Sequence, residues 1–163
     1  PMVRARLTKI NGRAVSTDDY ESERAKHLLT REFNLSWSGN LPAASHVIEG
    51  QWWSSEQNGQ PLLSLEEGIG ESLRIGMDDN VTFDINGTEV PLQVTNLRKV
   101  DWDSFNVNFF TVLPPGLLDQ YPASWVTSIY LDQQQKGQLG ELVKAYPNVT
   151  IIDVGALMTR HIT

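Results

Sequence analysis

In this chain chemistry has to come from histidine, carboxylate, hydroxyl or indole groups, because the 163 residues include no cysteine. That removes disulfides, thiolate metal sites and cysteine nucleophiles. His27, His46 and His161 are scattered through the chain. They show no metal-ligand spacing, no His-Glu-x-x-His pair and no carboxylate loop of calcium-binding form, so no metal is expected. Gly68-Ile69-Gly70 lacks the third glycine of a dinucleotide loop, and no Gly-Lys-Ser/Thr phosphate loop exists, so no cofactor is expected. No Gly-x-Ser-x-Gly elbow occurs either. Asp101 and Asp103, which flank Trp102, come nearest to an acid/base pair. Two residues apart on a strand they project from one face, where carboxylates cap loops or pair with cations such as Arg98 and Lys99. No residue is assigned a catalytic role, and the domain itself is read as non-enzymatic.

Trp52, Trp53 and Trp102 are the binding candidates. Tryptophan beside polar loops can contact sugars or lipids, and it can equally anchor one part of a fold on another. The three are read as a possible partner surface or lobe interface, with the anchoring role preferred. A free-standing carbohydrate- or lipid-binding module using these indoles is the alternative function. Asn-x-Ser/Thr sequons begin at Asn34, Asn80, Asn86 and Asn148. The last three sit at expected element edges with turn or capping roles of their own, so they do not imply glycosylation.

The formal charge is −7. That disfavours a nucleic-acid partner, which needs a basic face, and tight docking on an anionic membrane surface. No run of about 18 apolar residues is present, so no membrane-spanning helix is expected within these residues. The chain starts at Pro1 rather than Met and is expected to be a piece of a longer protein.

The elements that must position these residues read as follows. Met2–Ile10 alternates and is a half-buried strand, closed by the Asn11-Gly12 turn. Ser16 is expected to cap one helix running to about Leu29, with Tyr20, Ala25, Leu28 and Leu29 on its apolar face. Arg31–Trp37 alternates again, and Ser54–Pro61 is a loop. Leu62–Leu65 is a short strand, and Glu66–Arg74 a helix ended by a left-handed Gly76. Asn80–Leu97 is a hairpin around Asn86-Gly87. Phe105–Val112 should be a strand stopped by Pro114-Pro115. Ser124–Leu131, a helix from Asp132 to Tyr146, and Val149–Val154 form a strand–helix–strand crossover, followed by a helix from Gly155. The stretch Leu97–Pro115 is then a joint between two folding units, with Trp102 wedged in it.

Five segments together carry a resemblance: Arg31–Trp37, Glu49–Trp53, Leu65–Phe83, Leu97–Pro115 and Asn148–Val154. They are similar to the extracytoplasmic domain of MacB/FtsX-like ABC transporter permeases, and most of all to the YbbP type of Gram-negative bacteria. The most specific stretch is VTNLRKVDWDSFNVNFFTVLPPG. In the segment from Ile75 to Phe83, Asp78 stands where the superfamily usually has glycine. The resemblance implies an α+β, two-lobed periplasmic domain of an inner-membrane protein. Residues 1–30 and 106–163 would form a mixed α/β porter-like lobe. Residues 31–105 would form an inserted, mainly β sabre-like lobe. It further implies mechanotransmission driven by a separate ATP-binding subunit, and a periplasmic ester hydrolase or lipid as docking partner. Residues 155–163 would continue into a transmembrane helix.

Overall fold

The computed structural model describes residues 1–103 and 108–122. The chain divides into two units, Pro1–Ser128 and Ile129–Thr163, and every described residue belongs to the first. The expected crossover from Ser124 to Val154, the helix from Gly155 and residues 104–107 lie outside the described residues.

Strand β1 (Val3–Ile10) forms where the sequence alternates, burying Val3, Ala5 and Leu7 and exposing Arg4 and Arg6. It is followed by β2 (Arg13–Ala14), β3 (Phe33–Trp37), β4 (Ser45–Gly50) and β5 (Leu62–Glu66). Then come β6 (Asn80–Ile85), β7 (Thr88–Val100) and β8 (Thr111–Leu113). β1 pairs antiparallel with β3, Val3 opposite Leu35. β3 runs parallel to β8, and β8 antiparallel to β5. β5 runs parallel to β7. β7 and β6 form the expected hairpin, and β6 returns to pair with β1. Six strands therefore close a barrel in the order β1, β3, β8, β5, β7, β6, and a closed sheet leaves no open edge among them. β2 extends the sheet from β1, and β4 extends it from β7. Strands β1 and β8, from the two stretches expected in a porter-like lobe, thus complete one barrel with strands of the intervening stretch.

The turns at Asn11-Gly12 and Asn86-Gly87 have positive φ at both residues (51° and 78°; 52° and 91°), the geometry that matches the twist of the strands they join. The single helix expected from Ser16 is instead two pieces. Ser16 Oγ accepts from the Asp18 amide and caps a 3-10 turn, Thr17–Asp19. Ser22 Oγ then accepts from the Ala25 amide and caps α1 (Glu23–Thr30). Between them Tyr20 is extended, and its hydroxyl donates to the Leu73 carbonyl at 2.7 Å. A second serine cap and a distant acceptor for Tyr20 together interrupt the helix.

Helix α2 (Glu67–Leu73) ends two residues earlier than Gly76 would place it, with Arg74 as the left-handed residue at φ 57°. Its amide bonds the Glu71 and Gly70 carbonyls. Its guanidinium lies 4.8 Å over the Tyr20 ring and donates to the Asp19 carbonyl. These contacts offset the steric cost of a left-handed side chain. Asp78, standing where the superfamily usually has glycine, is also left-handed, at φ 66°. One apolar core joins β1, β3, β5, β6 and β7 to Ala25, Leu28 and Leu29 of α1 and Ile69 and Leu73 of α2. Phe33 and Phe83 meet edge-to-face inside it, with centroids 5.6 Å apart.

Candidate functional site

β7 is regular at its start, where Leu92 and Val94 are buried and Gln93 is exposed. Its register against β5 then slips, with Leu63 opposite Val94 but Ser64 opposite Asn96. Thr95 is the extra residue. A bulge of this kind shifts the phase of alternation. Leu97 therefore shares the face of Val94, while Asn96 and Arg98 turn to the opposite face beside Ser64 and Glu66. That opposite face is buried too: Ser64, Asn96 and Arg98 have no exposed surface, and Glu66 has almost none.

Ser64, Asn96 and Arg98 form a hydrogen-bonded cluster, with Glu66 beside it. Asn96 Nδ2 donates to the Gln51 carbonyl at 3.2 Å. Ser64 Oγ donates to Asn96 Oδ1 at 2.5 Å and accepts from Arg98 Nε at 2.6 Å. Arg98 Nη2 donates to the Phe109 carbonyl at 2.8 Å, and the Glu66 amide donates to the Phe110 carbonyl at 2.8 Å. Two carbonyls of the segment entering β8 are thus tied to the β5–β7 pair. Among the described residues Arg98 Nη1 finds no hydrogen-bond partner. Burial pushes the Arg98 guanidinium down to about 10, and the negative charge of Glu66 opposes that shift. Arg98 remains a cation at neutral pH. It serves as a fixed donor to backbone and hydroxyl oxygen, and is no proton acceptor. Glu66 also caps α2, its Oε2 accepting from the Ile69 amide at 2.9 Å.

Arg98 is therefore not the surface partner of Asp101 and Asp103 that its position in the sequence suggests. Those aspartates lie in an exposed turn after β7, where Asp101 Oδ1 accepts from the Asp103 amide. In this turn Asp101 has the capping role. Trp102 between them is half exposed and meets Phe110 edge-on at 5.3 Å. Trp52 and Trp53 sit apart from it in sequence, just after β4. Their rings stack at 4.1 Å, and their indole N–H groups donate to the Gly39 and Ser38 carbonyls at 3.0 and 2.9 Å. Trp53 is buried. Both indole donors are thus spent on pinning the 38–39 loop.

Among the described residues no three His, Asp or Glu side chains are grouped to hold a metal, and no helix is long and apolar enough to cross a membrane. The sequence gives no direct sign of the Ser64–Asn96–Arg98 cluster. The only clue is the alternation of Ser64 and Glu66 with Leu63 and Leu65 in a short strand.

No protein-family model matches the chain. Across 158 residues, 97% of its length, the chain is 35% identical to an uncharacterized ABC transporter permease, YbbP, of Escherichia coli (strain K12). The match covers 18% of that permease. An identity of this size across nearly the whole chain makes it a domain related to YbbP-type ABC transporter permeases.

Proposed function

We propose that the chain is the non-catalytic, extracytoplasmic domain of an ABC permease subunit. In this reading it sits on the periplasmic side of the inner membrane. It transmits movement driven by ATP hydrolysis at a separate subunit and docks protein or lipid partners there. The observation that carries the reading is the match to the permease along 97% of this chain. The polar cluster supports it. A barrel tied by Arg98 to the segment entering β8 moves as a body, which a transmitter of motion needs. The division into a porter-like lobe of 1–30 and 106–163 and a sabre-like lobe of 31–105 belongs to the same proposal, with the barrel as the place where the two stretches interlock.

These 163 residues contain no cysteine, so only cysteines in the rest of the permease have to be replaced before labels are introduced. Spin labels on cysteines introduced at exposed Arg6 and Glu89, in the full-length permease with its ATPase, give distances to a label in the membrane part. Distances that differ between nucleotide-free and ATP-trapped states support transmission of movement. Identical distributions in both states would sink it. Labelling of the same cysteines by a membrane-impermeant reagent in intact cells tests the periplasmic placement.

A further inference from the structure

Among the described residues β4 is paired on one side only. Its partner is β7, and among the described residues its outer edge carries no strand. The register slips here as well, Val47 opposite Arg98 and Glu49 opposite Leu97, so Ile48 is an extra residue in the strand. Bulges at sheet edges re-aim side chains, and Ile48 is left 48% exposed, one of three large apolar side chains so exposed among the described residues. Ile48 and Glu49 form one wall of an open groove whose other wall is α2. Leu97 and Ile75 floor it, and Glu67 and Glu71 project from the helix side. Glu49, Glu67 and Glu71 make no ion pair among the described residues. Arg74, the one cation on the rim among the described residues, is already held by the Asp19 carbonyl and the Tyr20 ring.

We propose that the outer edge of β4 and the groove beside it dock an extended, lysine- or arginine-bearing segment of a partner protein. Backbone donors and acceptors of β4 would continue into the added strand, and the groove would take its alternate side chains, aliphatic against Ile48 and cationic toward the glutamates. Charge decides the class of occupant. A second copy of a chain at −7 would bring the same acidic wall against this one. An anionic lipid surface is repelled for the same reason, and a neutral lipid cannot use the open backbone groups. The inference goes beyond the transport reading and rests on the geometry around β4. Nucleotide-dependent distances test that reading, and peptide binding tests this one.

The probe is a fluorescent decapeptide of alternating lysine and valine, titrated into the 163-residue chain and read by anisotropy. The glutamate–valine counterpart and a backbone N-methylated lysine–valine peptide are the controls. The expected result is binding by the first peptide alone, slowed amide exchange at Ser45–Gly50, and an affinity reduced by roughly tenfold or more in Glu49→Lys/Glu71→Lys. Both positions are exposed, and unchanged circular dichroism and melting verify that the variant folds. The proposal is overturned by equal binding of acidic or N-methylated peptide, by an affinity indifferent to the double reversal, by protection outside β4, or by self-association through this edge.

Discussion

The two ends of β7 obey different rules. From Thr88 to Gln93 the strand pairs residue for residue with β6, and the buried positions before the bulge, Leu92 and Val94, meet the apolar core that also holds Val81, Phe83 and Ile85. From Asn96 to Arg98 it lies between β4 and β5, and both of its faces are buried. One face is apolar, at Leu97. The other carries Asn96 and Arg98. A single inserted residue, Thr95, separates the regimes. The first half is held by non-directional burial, the second by directional hydrogen bonds that tie down a loop. Substitutions in the two halves should therefore fail differently.

The largest loss is expected in the first half. Phe83 is 1% exposed and packs edge-on against Phe33, so Phe83→Ala should cost about 3–5 kcal/mol, read as a lowered urea midpoint. Next comes the boundary itself. Gly50, at φ 76°, lies against the bulge, and a Cβ there would collide with the Thr95 carbonyl oxygen and stand 2.8 Å from Met77 Cε. Gly50→Ala should cost about 2–4 kcal/mol. A variant as stable as the parent would mean that the bulge is not fixed by this contact. In the second half, Arg98→Ala leaves Ser64 Oγ and the Phe109 carbonyl without their donor. It should cost about 2–3 kcal/mol and speed proteolysis of the segment before β8. Arg98→Met fills the space without the charge and should cost less in stability while still freeing that segment, since a buried cation carries a desolvation cost that methionine does not. If Arg98→Met matches Phe83→Ala in stability and leaves proteolysis unchanged, the two halves are held by the same forces and the contrast is lost.

The same boundary separates what could be read from the sequence from what could not. β1, β3 and the β6–β7 hairpin follow from period-two alternation and Asn-Gly turns, because there one face is buried and the register is unbroken. Closure into a barrel was not legible. It depends on the parallel pairings of β3 with β8 and β5 with β7, and β8 is three residues long. The end of α2 was misjudged by two residues because Arg74 draws on Tyr20, far away in sequence, to hold a conformation that local rules give to glycine. The polar cluster was invisible for the same reason that β7 changes phase. Read as one alternating strand, Leu92, Val94, Asn96 and Arg98 would share a face, which places the arginine in the apolar core. Pairing Arg98 and Lys99 at the surface with Asp101 and Asp103 is the way out the sequence offers. It took the register against β5 to show that Thr95 drops out of the count.

Trp102 gives the smallest expected effect and the sharpest check on where the joint lies. As a buried wedge between lobes it would be worth several kcal/mol when removed. Half of its surface is exposed, however, and the contact that orients it is the edge of Phe110. Trp102→Ala should therefore cost about 1 kcal/mol or less, well below Arg98→Ala, which acts on the same segment through Phe109. The expected order, Arg98 above Trp102, places the anchor of this joint inside the sheet, at a guanidinium holding a backbone carbonyl, and leaves the exposed indole as its outer marker. A Trp102→Ala loss as large as that of Arg98→Ala would reverse the assignment and return the joint to the tryptophan.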